Sequence, residues 1–409
     1  MVKKANPLGR LRGGGINMRD YGLLGALVAI VLFFQWKTGG KLLYSGNVNN
    51  LILQNAYVVI LAVGMVMVII AGHIDLSVGS LVAMIGAVVA IAIMYWHVPV
   101  PIAILYALAI GAIVGAWQGF WIAYVGIPAF IVTLAGMLMF RGLAIVFLTG
   151  GTIGGMPESF VSIGARWMPH WFGTFGGSPD PTDPTKLVGA KDILTIVIGI
   201  AAIVAMVIAG LRARGKLKAR GLPRPSTTSF AVRNAVIGSF IFYVAWLLAG
   251  HKGTPYILLV LSVVVLAYTF VLNRTVFGRH IYAMGGNRFA AVMSGVKVKK
   301  MDFYLFVNIG VLTGLAGVVT AARAGAANSS AGMWMELDAI AACFIGGASV
   351  HGGVGRISGT VTGALIMGVL NQGLSIMGVD AAWQQVIKGL VLLLAVAFDI
   401  TNRRRAGDQ

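Results

Sequence analysis

The sequence predicts an all-α, polytopic transmembrane helical protein of about 12 spans with both termini inside (N-in/C-in), on three observations. It is 58% hydrophobic and 11% charged, with a mean hydropathy of +0.89, where soluble domains carry about 25% charged residues. Apolar runs near the length that crosses a bilayer recur along the whole chain. The formal charge of +19 is gathered into a few blocks between those runs.

The candidate spans, in order, are 20–36, 51–71, 76–94, 100–125, 129–149, 191–210, 231–249, 255–273, 302–323, 336–348, 356–376 and 382–399. Four blocks test the count: five Lys and Arg in the first 19 residues, seven from Arg212 to Arg233, six from Arg274 to Lys300, and three at Arg403–Arg405. An even number of spans separates each block from the next, so all four fall on one side, and cytoplasmic loops collect such charge. An anionic inner leaflet accounts for the positive charge, and nucleic acid is not required as a partner. The first span follows a basic stretch without a small-residue cleavage site, so it reads as a retained helix rather than a removed signal peptide. Two spans are unusual: 336–348 is short, and 129–149 carries Arg141 in its middle. Either could be broken or re-entrant, which protein or water would have to cover.

Residues 1–19 then form a basic cytoplasmic N-terminus, 20–400 the transmembrane domain, and 401–409 a basic cytoplasmic tail. The external loop 150–190 contains FVSIGARWMPHWFG, whose Trp167 and Trp171 suit a helix at the interface, followed by the turn-rich GGSPDPTDPTK. The internal loop 211–233, with Pro223 and Pro225, reads as a flexible surface segment. Gly111, Gly115 and Gly119 share a helical face, as do Gly359 and Gly363, which lets helices approach closely in lipid. Gly115, Gly119, Gly126 and Gly136 recur about 253 residues later as Gly368, Gly373, Gly378 and Gly389, a weak sign of the repeats found in transporters, although glycine is abundant enough for chance agreement.

The internal loop 278–300, GRHIYAMGGNRFAAVMSGVKVKK, has order of its own. Following Gly286, Asn287 can cap a short helix that Gly295 ends in a left-handed conformation. Phe289, Val292, Met293 and Val296 make one apolar stripe, and Ala290, Ala291 and Ser294 an adjacent small-residue face. A helix of roughly two turns is not stable alone in water, so it must dock on something.

The chain has no catalytic motif of its own. It lacks a G-x-x-x-x-G-K-[ST] phosphate loop, an H-E-x-x-H and a G-x-S-x-G. Its one cysteine, Cys343, excludes internal disulfides and a cysteine-rich metal site. No cofactor and no metal site are expected. Intramembrane polar residues are what remain. In GHIDLSVGS, Asp75 stands between two spans with Ser77 just after it. It either caps the next helix at the cytoplasmic surface or marks a helix break near a pathway. Glu336 and Asp338 open the short span 336–348 and allow the same two readings, and the glycines of GGASVHGGVG behind them permit tight turns. Trp117, Trp121 and Tyr124 share a face beside Gln118. Interfacial anchoring is the plainer reading, and a lining for polyol rings the sharper one. His73 reads as interfacial, while Arg141, Arg323 and Lys388 have no evident partners in the sequence.

The stretches GHIDLSVGS, GIPAFIVTLAGMLMFRGL, FGRHIYAMGGNRFAAVMSG, ELDAIAACFIGGASVHGGVG and WQQVIKGLVLLLAV resemble the permease subunit of bacterial ABC sugar importers, over about residues 20–400. Among these the chain looks most similar to the xylose and multiple-monosaccharide permeases, since the ribose type lacks the extra region around 150–250. The resemblance implies a non-enzymatic, multi-pass subunit of the bacterial inner membrane. Two permease copies would form the pathway, an ATPase pair would bind inside, and a periplasmic sugar-binding protein would deliver a monosaccharide such as xylose. It also implies that the 278–300 loop couples to the ATPase through an E-A-A-x-x-x-G core. Ala290, Ala291 and Gly295 match that core, and Phe289 stands where the acid would be. A permease for branched-chain amino acids or a furanone signal, an ion-coupled secondary carrier, and a membrane scaffold are the alternatives. The scarcity of carboxylates, 12 in the chain, disfavours ion coupling.

Overall fold

The computed structural model describes residues 18–179, 187–222 and 226–406. Residues 1–17, Pro223 and Pro225, most of the PDPTDPT linker and the last three residues lie outside them. Fifteen α-helices are present among the described residues. They are α1 (Met18–Lys37), α2 (Ser45–Ile70), α3 (Val78–Met94), α4 (Val100–Phe120), α5 (Ala129–Phe147), α6 (Glu158–Ala165), α7 (Ile193–Ala219) and α8 (Thr227–Ala249). The chain continues with α9 (Tyr256–Arg274), α10 (Val276–Gly286), α11 (Arg288–Met293), α12 (Val298–Ala324), α13 (Met335–Ile345), α14 (Ile357–Ile376) and α15 (Ala381–Ala406).

Every expected apolar run is helical, and eight helices are long and apolar enough to cross a bilayer unaided. At 1.5 Å per residue α13 covers only about 16 Å, roughly half the hydrocarbon thickness, so it is a half-helix. The other unusual span is not broken: α5 runs unbroken past Arg141. Two expectations need correction. The basic stretch after Leu211 is not a loop: α7 runs to Ala219 and α8 starts at Thr227. Arg212, Arg214, Lys216 and Lys218 are good helix formers whose long stems let the charge reach water, so they prolong the helix. In the external loop, helix α6 stops at Ala165, before either tryptophan. Trp167 instead bridges to Pro255 in extended backbone.

The chain divides into two compact units. The smaller (1–22, 43–49 and 168–254) is built on the hairpin of α7 and α8. Asp192 caps α7 by accepting from the Thr195 N–H at 2.9 Å, and Ser226 caps α8 through Ser229. A Cβ on Gly199 would come within 2.6 Å of that of Ala245, so a small residue sets the hairpin spacing.

The larger unit (23–42, 50–167 and 255–409) has α2 and α12 at its centre. Helix α2 is buried along nearly all its length from Ala56 to Ile70, with Met65, Met67, Ile60 and Leu61 fully enclosed. Helices α4, α5 and α9 keep large apolar side chains such as Leu105, Leu138 and Leu266 exposed, as lipid-facing helices must. The face of Gly111 and Gly115 packs on the α12 backbone at Gly310 and Phe306, and Gly359 and Gly363 pack on α13 at Gly346 and Ala342. The expected small-residue faces are therefore real contact faces.

The order of helices runs alongside the glycine pattern. Within this unit the series α2, break, α3, α4, α5 is followed later by α12, break, α13, α14, α15, in the same order with a short helix after each break. Gly126 and Gly378, paired in the sequence repeat, both close a helix at positive φ, +89° and +71°. The equivalence weakens at Gly136, which packs on Gln118, because nothing approaches Gly389. At one end of the unit, strand Thr152–Gly154 pairs antiparallel with Ala326–Asn328, which fixes the chain where the second break begins.

Candidate functional site

The expected docking helix forms as α11. The Asn287 side chain accepts from the Ala290 N–H at 2.9 Å, and Ser294 Oγ donates to the Ala290 carbonyl at 2.9 Å. Gly295 ends the turn at φ +83°. Phe289 and Met293 stand about 70% exposed, while Val296 at the end of the stripe packs against the core. Ala291 differs from expectation: it points inward and is buried in the core, so it seats the helix rather than facing a partner. At Gly286, singled out in the sequence, a side chain would meet nothing within 4 Å. The close approach is at Gly285, where a side chain would strike the Ile70 carbonyl and the Gly353 amide.

Helix α10 thereby lies over the end of α2 and the turn before α14. Gly353 N–H donates to the Ile70 carbonyl at 2.8 Å, and the Tyr282 hydroxyl donates to the Gly355 carbonyl at 2.6 Å. Burial raises the Tyr282 hydroxyl above its ordinary range against the opposing charge of Arg356, so it remains a donor at neutral pH.

Three residues that the sequence did not single out as a site connect α11 to the first break. Asp302, fully buried in the second turn of α12, is held by Arg288 at the start of α11 and by His73 Nε2 at 3.0 Å. His73 is therefore engaged rather than merely interfacial. An acid directly following a basic block was the only signal for Asp302. Beside this chain of contacts lies a cleft of about 650 Å³, lined by His73, Ile127, Phe130, Arg288, Val292 and Lys299 among others.

The first break, 71–77, holds Asp75. It does not cap α3 at a water-facing surface. It is buried and turns back on itself, accepting from the Ser77 N–H at 2.8 Å and Ser77 Oγ at 2.7 Å. Gln118 Nε2 donates to Ser77 Oγ at 2.7 Å, which ties the break to α4. Gln118, noted only as a neighbour of the aromatic face, is the polar partner here.

The second break, 325–334, meets the first turn of α3, just after the first break. A side chain at Gly79 would strike the Gly332 carbonyl and the Glu336 carboxylate, so only glycine lets α3 and this segment touch. Arg141 Nη1 donates to the carbonyls of Ser329 and Ala331 at 2.6 and 2.7 Å, which is how an arginine is tolerated mid-helix in α5. Asp338 is joined to the Tyr57 hydroxyl at 2.9 Å and to Lys388 Nζ at 3.1 Å. Glu336 lies within electrostatic reach of Arg141 and Asp75, and its Oε2 accepts no hydrogen bond among the described residues. Asp75, Ser77, Glu336 and Asp338 thus gather near the meeting of α3 and the second break. Trp117 is not with them. It is half-exposed on the outer side of α4, edge-on to Trp121 and Phe140.

Among the described residues no group of His, Cys, Asp and Glu is placed to hold a metal ion. The arrangement offers interrupted helices with buried polar groups, joined to a surface helix whose Phe289 and Met293 are exposed. Comparison with known proteins agrees in kind. A family profile described as branched-chain amino acid transport system / permease component matches residues 47–175 and 185–396. The xylose transport system permease protein of Escherichia coli (strain K12) is 40% identical over 393 residues, 96% of this chain and 94% of that protein. The xylose transport system permease protein of Haemophilus influenzae is 38% identical over 390 residues, 95% and 98% of the two chains. The ribose import permease protein of Escherichia coli (strain K12) is 34% identical over 354 residues, 86% and 85%. No solved structure matches the chain.

Proposed function

The chain belongs to the permease family of branched-chain amino acid transport systems and their sugar-importing relatives, and we propose that it is the membrane-spanning subunit of an ATP-driven importer of a monosaccharide, xylose or a similar pentose or hexose. The observation that carries this reading is the 40% identity to a xylose permease over 96% of the chain. The energy source sits on a separate ATPase chain, since no phosphate-cradling loop occurs in this sequence. A sugar-binding protein delivers the cargo on the periplasmic face, and a second permease copy completes the pathway. Trp117 and its aromatic neighbours belong to the outer face that meets lipid or that copy.

In this reading the protein lies in the bacterial inner membrane with both termini inside. The blocks 1–19, 211–233, 278–300 and 401–409 are cytoplasmic, and 150–190 is periplasmic. The α10–α11 segment docks on the ATPase, with Gly286, Asn287, Ala290, Ser294 and Gly295 building the contact and the buried Ala291 seating the helix beneath it. Closure of the ATPase pair pushes on α11. Arg288, Asp302 and His73 pass that displacement to the first break and so to α3, whose first turn touches the second break at Gly79 and Gly332. Asp75, Ser77, Glu336 and Asp338 then move with the breaks, which supplies a route from nucleotide closure to alternating access.

Reconstitution with the neighbouring ATPase and binding protein, challenged with a panel of labelled monosaccharides, tests the cargo. Xylose is expected to saturate uptake at the lowest concentration. Uptake of a branched-chain amino acid without any sugar uptake would reverse the assignment of cargo class.

A further inference from the structure

The surface around α11 carries one sign of charge. Between Gly278 and Lys300 there are five Lys and Arg and no Asp or Glu. The nearest carboxylate in sequence, Asp302, is buried and already held by Arg288 and His73. Lys297, Lys299 and Lys300 are exposed next to the exposed Phe289 and Met293. The adjoining cleft of about 650 Å³ has no acid in its lining. Its rim holds Arg288 and Lys299, its walls Ile127, Phe130 and Val292. The first turn of α5, which no side chain caps, closes the far side and adds the positive end of a helix dipole.

We infer that this cleft receives a carboxylate-bearing segment of the ATPase subunit, so that the docking contact is apolar at its centre and acidic on the partner's side. The inference rests on the reading of α11 as the docking helix and specifies what that helix meets. An amphipathic turn with a protruding Phe and Met lays its apolar face into a groove. The surrounding cations then select a groove with an acidic rim and reject a basic one, because like charges juxtaposed across an interface are strongly penalised. The permease-side acid of the E-A-A-x-x-x-G pattern is replaced here by Phe289, and the charge it would bring is supplied from the opposite side. An anionic lipid headgroup would satisfy the same cations. The exposed Phe289 and Met293 beside these cations, on a segment packed over the end of buried α2, favour the protein partner.

The test is the affinity of the purified ATPase subunit for the full-length permease in nanodiscs of zwitterionic lipid, measured against salt concentration. Wild-type binding is expected to weaken steeply as salt rises. Lys299→Glu should weaken it about tenfold at low salt and flatten the salt dependence, whereas Lys299→Arg keeps both. Phe289→Ala should weaken binding without changing the salt slope. A Glu→Lys change in the partner's groove should recover binding to Lys299→Glu. If Lys299→Glu binds as wild type while Phe289→Ala does not, the inference fails and the docking reading stands. If the cations matter only when anionic lipid is added, they belong to the lipid and the inference fails. Wild-type permease that does not bind the ATPase at all would remove the docking reading itself.

Discussion

The two breaks in the larger unit occupy equivalent places in its repeated helix order, yet they are secured by opposite means. The first is closed locally. Around Asp75 the bonds run to Ser77 two residues on, with Gln118 of α4 donating to Ser77. The longer ties of this break leave from its other residues, His73 to Asp302 and the Ile74 carbonyl to Thr133. The second is held from a distance: Arg141 grips its carbonyls from α5, and Asp338 just beyond it is tied to Tyr57 of α2 and Lys388 of α15. A locally closed turn keeps its shape wherever its helices move. A segment held by three other helices reports their positions. The first break therefore suits a rigid lever and the second a sensor of helix arrangement.

Removing the long-range ties should cost most. Asp338→Leu leaves the Lys388 ammonium unpaired and largely buried, and should lower stability by about 3–5 kcal/mol, with most of the loss recovered in the double variant Asp338→Leu/Lys388→Met. Thermal unfolding of the detergent-solubilised protein reads both. If the double variant is no better than the single, the pair is not what secures the second break.

The contact between α3 and the second break comes next. Gly79→Val forces a side chain into the Gly332 carbonyl and the Glu336 carboxylate. It should cost about 1–3 kcal/mol and increase proteolytic or hydrogen-exchange access at 329–334. Unchanged exchange there would separate α3 from the second break. Ser77→Ala removes the hydroxyl between Asp75 and Gln118 and should cost about 1–2 kcal/mol, with its effect confined to the first break. A disturbance spreading to α13 would contradict the local closure. The smallest effect belongs to Asn287→Ala, which deletes the α11 cap at about 1 kcal/mol. Exchange should speed up within α11 while the global unfolding temperature holds.

What could be read from the sequence follows the same division. The cap of Asn287, the left-handed Gly295 and the apolar stripe are patterns within one turn, so residue order alone expresses them. The twelve apolar runs were equally legible, because lipid requires them to be continuous. The inward face of Ala291 was not, since which side of a six-residue helix meets the body depends on what lies beneath it. The same holds for Asp302 and His73, 229 residues apart, and for Tyr57 and Asp338, 281 apart. Gly285 and Gly286 are indistinguishable in sequence, and only the backbone crossing at Ile70 separates them. The repeat was glimpsed through its glycines, and the order of helices around the breaks runs alongside them.

The central claim is that nucleotide hydrolysis on a partner drives this chain through α11 and the two breaks. Proteoliposomes containing the permease, its ATPase and its binding protein test it through uptake of labelled xylose with and without an uncoupler. The account expects accumulation that depends on the ATPase subunit and internal ATP, persists when the ion gradients collapse, and is lost in Phe289→Ala. Uptake that survives removal of the ATPase and disappears with the uncoupler would contradict it, and would make the buried carboxylates of the breaks the coupling groups of an ion-driven carrier.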